Sequence, residues 1–168
     1  MVSGNNHIIN LKDGRKLAYA EYGALAGKPL FFFHGWPVSR LSGRIAKKAA
    51  KKLGIRIISP DRPGYGLSDF KKDRKLLDWA KDVLELADRL RIKRFAVVGV
   101  SGGGPYAAVC AYKIPGRLTK AGIVVGLAPT YIPGILDEML WVSKIGWANY
   151  SKFPFLRTIG ALSIIFIL

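Results

Sequence analysis

One serine occupies a setting that would turn its hydroxyl into a nucleophile. Ser101 is the central residue of Gly99-Val100-Ser101-Gly102-Gly103, which fits the pattern G-x-S-x-G between a predicted buried strand and a predicted helix. Glycines on both sides allow a sharp, strained turn that exposes the hydroxyl above the edge of a sheet. The following helix points main-chain N–H groups and the positive end of its dipole toward this position. The pattern predicts attack of Ser101 on a carbonyl carbon.

Two structural interpretations compete with this one. Short patterns of this kind also arise as chance turns, and the run from Gly102 to Ala107 resembles a dinucleotide-binding loop of the G-x-G-x-x-A type. Such a loop requires an acidic residue about 20 positions later to bind the ribose. No Asp or Glu occurs between Ser101 and Asp137. The sequence therefore speaks against a nucleotide site.

A second loop with chemical potential is His34-Gly35-Trp36-Pro37, directly after the apolar run Phe31–Phe33. A loop after a neighbouring strand can supply a second N–H to an oxyanion, and Trp36 would be the donor. Its indole ring either walls an acyl pocket or belongs to the ordinary core, and the sequence favours neither.

A third loop runs from Asp61 to Asp69 (DRPGYGLSD) after another apolar strand. Gly64, Gly66 and the proline predict a tight, preset turn at the carboxyl end of that strand, where ligands of α/β sheets lie. We assign Asp61 and Arg62 a positioning role without chemistry, and a salt-bridged structural turn is the expected arrangement.

These loops require a scaffold of alternating strands and helices. Asp13-Gly14 between two short apolar segments predicts a hairpin, and the later strands alternate with helices, which indicates a mostly parallel α/β sheet. The predicted strands are Ile8–Leu11, Lys16–Tyr22, Pro29–Phe33, Ile55–Ser59, Phe95–Gly99 and Ala121–Val125, and the later helices are Leu76–Leu90 and Pro105–Tyr112. From Pro129 onward the sequence is typical of short apolar helices.

The composition is strongly basic. The chain of 168 residues has 27 Lys and Arg against 11 Asp and Glu, a net charge of +16. Seven cations and no acid lie between Ser39 and Ser59, where an apolar residue recurs every fourth position at Leu41, Ile45, Ala49 and Leu53. This spacing predicts a helix that buries the apolar stripe and exposes its lysines to solvent. The alternative is a site for a polyanion, either nucleic acid or anionic membrane.

Cysteine content and hydropathy suggest a compartment. Cys110 is the single cysteine, so no internal disulfide is possible. The N-terminal residues lack the apolar run of a signal peptide, and no apolar run reaches the ~20 residues of a spanning helix. We expect a cytoplasmic protein without a transmembrane segment.

Taken together, HGWP, PDRPGYGLSD and GVSGGGPYA resemble the α/β-hydrolase fold, in the serine-nucleophile lineage related to proline iminopeptidases and esterases. The resemblance extends over roughly residues 8–127. It implies an α/β-hydrolase core over residues 1–128, with helices on both faces of the sheet, and the start of a helical cap over residues 129–168.

The resemblance also implies roles for individual residues. Ser101 would attack an ester, thioester or amide, because relatives acting on halogen–carbon bonds or epoxides carry aspartate there. The Trp36 and Gly102 N–H groups would hold the oxyanion, and Trp36, Gly35 and Tyr106 would line the substrate site. The expected structural residues are His34, Gly99, Gly103, Asp61, Arg62, Gly64 and Gly66. We expect a small-molecule substrate, no cofactor, no metal and no specific nucleic-acid partner.

The sequence departs from this family in its catalytic triad. Chain order in the fold is serine, then acid, then histidine, but both histidines, His7 and His34, precede Ser101. The acids after Ser101 are Asp137 and Glu138, inside the cap-like region. We therefore expect the front part of a longer hydrolase, with a truncated cap and without the last strands, the triad acid and the histidine. The alternatives are a non-catalytic small-molecule binder, a basic binding protein and an enzyme completed by a second chain.

Overall fold

The computed structural model describes residues 6–129, 132–134, 137 and 141. The chain divides into two compact units, Met1–Leu127 and Ala128–Leu168. The first unit contains six strands and three α-helices with short 3₁₀ segments between them. The strands are β1 (His7–Asn10), β2 (Lys16–Gly23), β3 (Lys28–Phe33), β4 (Ile55–Pro60), β5 (Phe95–Val100) and β6 (Leu118–Val124), and the helices are α1 (Lys47–Lys52), α2 (Trp79–Arg89) and α3 (Gly104–Lys113).

The six strands form one sheet in the order β1-β2-β4-β3-β5-β6. The first two strands form an antiparallel hairpin, β2 is antiparallel to β4, and the pairs β3–β4, β3–β5 and β5–β6 are parallel. Gly14 in the hairpin turn has φ of 86°, which glycine adopts without the strain of a side chain. The predicted mixed sheet with an N-terminal antiparallel hairpin is confirmed.

The sheet separates two apolar clusters, because successive residues of a strand point to opposite faces. Phe31 and Phe33 point to the face covered by α2 and α3, where Trp79, Leu86 and Cys110 are also buried. Phe32 points to the other face, which is covered by α1 and has a smaller core of Ala20, Tyr22, Ala50 and Ile57. Burial raises the pKa of the Cys110 thiol to about 12, so the thiol is uncharged.

The predicted apolar stripe after β3 is wrong. Leu41, Ile45 and Leu53 are 42%, 85% and 67% exposed, and Ala49 is exposed as well. The first turns, Arg40–Ala46, are a 3₁₀ helix, so residues at a spacing of three share the inner face. That face holds Arg40 and Gly43, and only Ala50 of α1 is buried.

Close approach to the sheet explains this reversal. A Cβ on Gly43 would lie 2.9 Å from Ser59 Cβ and 3.1 Å from the Tyr22 ring. The inner face of this segment therefore accepts only very small side chains, apart from Arg40, and the large aliphatic residues are displaced to solvent. α1 ends at Lys52, and Gly54, which follows the C-cap residue Leu53, has a φ of 63° in the left-handed region that favours glycine.

The sheet edge formed by β6 carries apolar side chains in contact with solvent. Ile123, Val124 and Val125 are 55%, 49% and 80% exposed. In the second unit, Asp137 N–H donates a hydrogen bond to the Gly134 carbonyl at 3.0 Å. Most of the predicted cap, including Glu138, lies outside the described residues. No helix among the described residues is both long and apolar enough to span a bilayer.

Candidate active site

The candidate site lies at the carboxyl ends of β3 and β5, where the order in which the chain adds strands to the sheet changes direction. The chain passes from β3 to β4 on one side and then returns to β5 on the other side of β3. Crevices at such a switch point, outside the carboxyl ends of the strands, are where ligands bind in open α/β sheets. The loop His34–Trp36 leaves β3 here and Ser101 leaves β5, so the topology brings two of the three predicted motifs together.

Ser101 has the backbone of a strained turn. Its φ is 50°, in a region that costs a non-glycine residue about 1–3 kcal/mol. Close packing on both sides enforces this conformation. A Cβ on Gly99 would collide with the Gly103 carbonyl oxygen, and a Cβ on Gly103 would collide with the Phe33 carbonyl oxygen. Main-chain contacts therefore leave no room for a side chain at either glycine.

The loop after β3 packs directly against this turn. A Cβ on Gly35 would lie 3.2 Å from Ser101 Cβ and 3.6 Å from its Oγ, and a Cβ on Gly102 would lie 3.4 Å from the Trp36 main-chain nitrogen. The Trp36 and Gly102 amides thus lie beside the serine. Trp36 is 41% exposed, so its indole ring is not part of the buried core.

The Arg62 side chain connects the loop after β3 with the turn at Ser101. Its guanidinium donates a 2.8 Å hydrogen bond to the Gly35 carbonyl and a 3.3 Å hydrogen bond to the Gly102 carbonyl. The guanidinium carbon lies 4.4 Å from the centre of the Tyr65 ring and 4.9 Å from that of Tyr106. Arg62 is only 5% exposed, so these two carbonyls and two rings hold its side chain in one position between the two loops. The carbonyls belong to the residues flanking Trp36 and Ser101.

His34 also helps to hold these loops in place, and it is not positioned to act as a base for Ser101. The Arg62 main-chain N–H donates a 3.2 Å hydrogen bond to His34 Nε2, so Nδ1 carries the proton and donates to the Gly35 carbonyl at 2.8 Å. Burial and then the Arg62 charge lower the pKa of His34 to about 4. A neutral imidazole with both nitrogens engaged has no lone pair for the serine proton.

His7 lies far from Ser101. It is on β1, four strand positions from β5, which corresponds to roughly 19 Å at the usual strand spacing. Its ring stacks on Tyr19 with centroids 4.9 Å apart. Neither histidine of the chain is placed to accept the Ser101 proton. Asp137 belongs to the second unit.

Asp61 forms a salt bridge with Arg40, one of the seven cations between Ser39 and Ser59. Its fully buried carboxylate lies 2.6 Å from Arg40 Nη1 and accepts hydrogen bonds from the main-chain N–H groups of Arg40 and Leu67. Gly66, with φ of 55°, is required because a Cβ there would collide with this carboxylate. Gly64 also has positive φ, 80°. Asp61 therefore anchors the loop, whereas Arg62 takes no part in the ion pair.

Tyr106 follows Ser101 by five residues, in α3, and borders a cavity that Ser101 does not line. Its ring packs edge-on against Trp79 with centroids 5.6 Å apart. Tyr106, Trp79 and Pro63 border a cavity of about 230 Å³ whose lining does not include Ser101 or Trp36. That Tyr106 lines the substrate site stays a prediction. Among the described residues no cluster of three or more His, Cys, Asp or Glu side chains is arranged to hold a metal.

Comparison with known proteins identifies the family. A model of the alpha/beta hydrolase fold family matches residues 28–163. The chain belongs to this family. A non-heme chloroperoxidase from Streptomyces lividans is 32% identical over 74% of this chain and 46% of its own length. The hypothetical protein PA1622 from Pseudomonas aeruginosa superposes with a TM-score of 0.64 at 32% identity, over 74% of this chain and 44% of that one.

An esterase from Exiguobacterium antarcticum superposes with a TM-score of 0.63 at 27% identity, over 76% of this chain and 47% of the esterase. The chain therefore spans about half the length of the curated relatives it matches. The curated relatives of the chain include proteins named as hydrolases.

Proposed function

We propose that the whole protein is a serine hydrolase that cleaves a carboxylic ester, thioester or amide through an acyl-enzyme at Ser101. The observation that carries the proposal is the strained turn at Ser101 packed against Gly35, with the Trp36 nitrogen next to Gly102. A strained serine beside two main-chain amides is suited to attack a carbonyl carbon and to stabilise the tetrahedral oxyanion. The esterase similarity supports the same reaction class.

In this mechanism the Ser101 oxygen bonds to the carbonyl carbon and the leaving group departs with a proton. The Trp36 and Gly102 N–H groups hold the developing negative charge, and Arg62 keeps their loops at a fixed separation through the Gly35 and Gly102 carbonyls. Water then hydrolyses the acyl-enzyme. We further propose that residues 129–168 begin the cap that selects the substrate.

The base is the missing part of this proposal. His34 is engaged at both nitrogens and His7 lies across the sheet. We propose that the triad histidine and the acid that orients it belong to the part of the fold that these 168 residues do not span. Sequencing the source DNA beyond the Leu168 codon tests this. An Asp or Glu followed by a His is expected, and a stop in every transcript favours a non-catalytic binding protein instead.

Acylation of the 168-residue chain tests the nucleophile. Without a base, binding and the oxyanion hole still leave about 10³–10⁴-fold acceleration over water in triad-deleted enzymes. An activated aryl ester should therefore acylate Ser101 slowly, and intact-mass spectrometry with peptide mapping should locate the adduct. Ser101→Ala should abolish it, whereas Ser42→Ala, which removes a hydroxyl that donates to the Ser39 carbonyl, should not.

Two results would contradict the assignment. One is acylation that is unchanged in Ser101→Ala. The other is a folded chain that is not acylated but is stabilised by a small ligand equally with and without Ser101, which would establish the binding protein.

A further inference from the structure

The segment after β3 presents a surface that combines cations with exposed aliphatic side chains. We call it the α1 surface. Its members are Leu41, Arg44, Ile45, Lys47, Lys48, Ala49, Lys51, Lys52 and Leu53, all of them exposed. Ile45 and Leu53 stand out because 85% and 67% of their surfaces contact solvent. The aliphatic residues that the sequence spacing predicted to be buried are exposed together with the lysines, because Arg40, Gly43 and Ala50 occupy the inner face.

The charge of the α1 surface is uncompensated. No acidic residue occurs between Glu21 and Asp61, and these two flanking acids are paired with Arg56 and Arg40. The five exposed cations of the α1 surface form no ion pair within the described part of the chain. A partner that covers this surface must therefore bring negative charge.

The same partner must also accept aliphatic side chains. A nucleic acid offers phosphates and base faces, and proteins that bind single strands meet the bases with aromatic side chains. The segment from Val38 to Gly54 contains no aromatic residue. An anionic bilayer provides both requirements, because lysines contact the headgroups while aliphatic side chains enter the boundary with the acyl chains.

We propose that the α1 surface docks the protein on an anionic lipid membrane. The association is peripheral, with Ile45 and Leu53 inserted between headgroups and the lysines at the level of the lipid phosphates. The docking is independent of the proposed hydrolase activity, since no residue of the α1 surface belongs to the Ser101 site.

Vesicle co-sedimentation of the full chain tests the proposal, with phosphatidylcholine vesicles and with vesicles that contain one quarter phosphatidylglycerol. We expect binding to the anionic vesicles and not to the neutral ones, with loss at high salt. Changing Lys47, Lys48, Lys51 and Lys52 to Gln should lower the partition coefficient about fivefold per lysine. Ile45→Ser with Leu53→Ser, which leaves the charge unchanged, should lower it about tenfold.

Two matched variants control for charge and apolar area. The first control changes Lys72, Lys81, Lys93 and Lys120 to Gln, which removes the same charge from other exposed positions. The second changes Leu76 and Leu77 to Ser, which removes exposed leucines outside the α1 surface. Both should retain most of the binding. Circular dichroism spectra that match the wild type establish that each variant is folded.

Several outcomes would overturn the proposal. Equal losses in the two quadruple variants would mean that the net charge alone attracts the protein to the vesicles. Binding to duplex or single-stranded DNA that needs the four lysines but not Ile45 and Leu53, without binding to vesicles, would assign the surface to nucleic acid. Absence of binding to the anionic vesicles at low salt would also exclude membrane docking.

Discussion

Arg40 Nη1 lies 2.6 Å from Asp61 Oδ2, and this ion pair is shielded from solvent. Removal of one partner leaves an uncompensated charge in the interior, which costs about 3–5 kcal/mol. We expect Arg40→Leu and Asp61→Asn each to lower the free energy of unfolding by that amount in urea titrations. The exposed pair Arg117–Asp88 is the control, and Asp88→Asn should cost less than about 1 kcal/mol. Similar losses at both pairs would contradict the anchoring role of Asp61.

The same pair illustrates what the sequence does and does not determine. The three loop motifs specify their own turns, so the fold and the meeting of Ser101 with Trp36 follow from glycine positions and strand order. Arg40 looks like the other six cations between Ser39 and Ser59, because nothing local distinguishes a buried arginine from a solvated one. The burial of Gly43 in place of Leu41 was equally unpredictable, since it depends on how closely the segment approaches Ser59 and Tyr22.

Main-chain contacts at the serine turn predict that two glycines tolerate no side chain. Gly99→Ala and Gly103→Ala each place a Cβ against a carbonyl oxygen, so we expect about 3 kcal/mol or more of destabilisation. Gly116→Ala is the matched control, because a Cβ there meets nothing within 4 Å. Thermal unfolding followed by circular dichroism measures the difference. Equal melting temperatures for the three variants would exclude the close packing at the turn.

The positive φ of Ser101 predicts an unusual order of stability among its substitutions. Glycine adopts φ of 50° without steric strain whereas alanine does not, so Ser101→Gly should exceed Ser101→Ala in stability by up to about 1 kcal/mol. At Ala108, an exposed position in α3, the change to glycine should instead cost about 1 kcal/mol. Urea unfolding of these variants provides the comparison. If Ser101→Gly is the less stable of the two Ser101 variants, the turn is unstrained.

His34 gives the protein a defined dependence on pH. Its pKa is lowered from 6.5 to about 4, so the unfolded chain takes up the proton before the folded one does. The stability contributed by the neutral imidazole is complete above pH 6.5 and is lost as the pH falls toward 4, at up to about 1.4 kcal/mol per pH unit. Imidazole ¹H–¹⁵N correlation spectra should show the proton on Nδ1 and a midpoint near pH 4. His7→Gln assigns the signals, and a His34 midpoint near 6.5 would contradict the buried arrangement.

Neighbouring alanines in α1 test which face of this segment meets the sheet. Ala50 is 4% exposed and packs with Tyr22 and Ile57, whereas Ala49 is exposed. Ala50→Leu should overpack the small core and cost about 1–3 kcal/mol, while Ala49→Leu should change the free energy of unfolding by less than about 0.5 kcal/mol. Both substitutions add the same side chain to the same helix, so helix propensity cancels in urea titrations. A larger loss at Ala49 would contradict this orientation of α1. It would show that the apolar stripe predicted from the sequence spacing faces the sheet, so the aliphatic side chains needed for membrane docking would be buried.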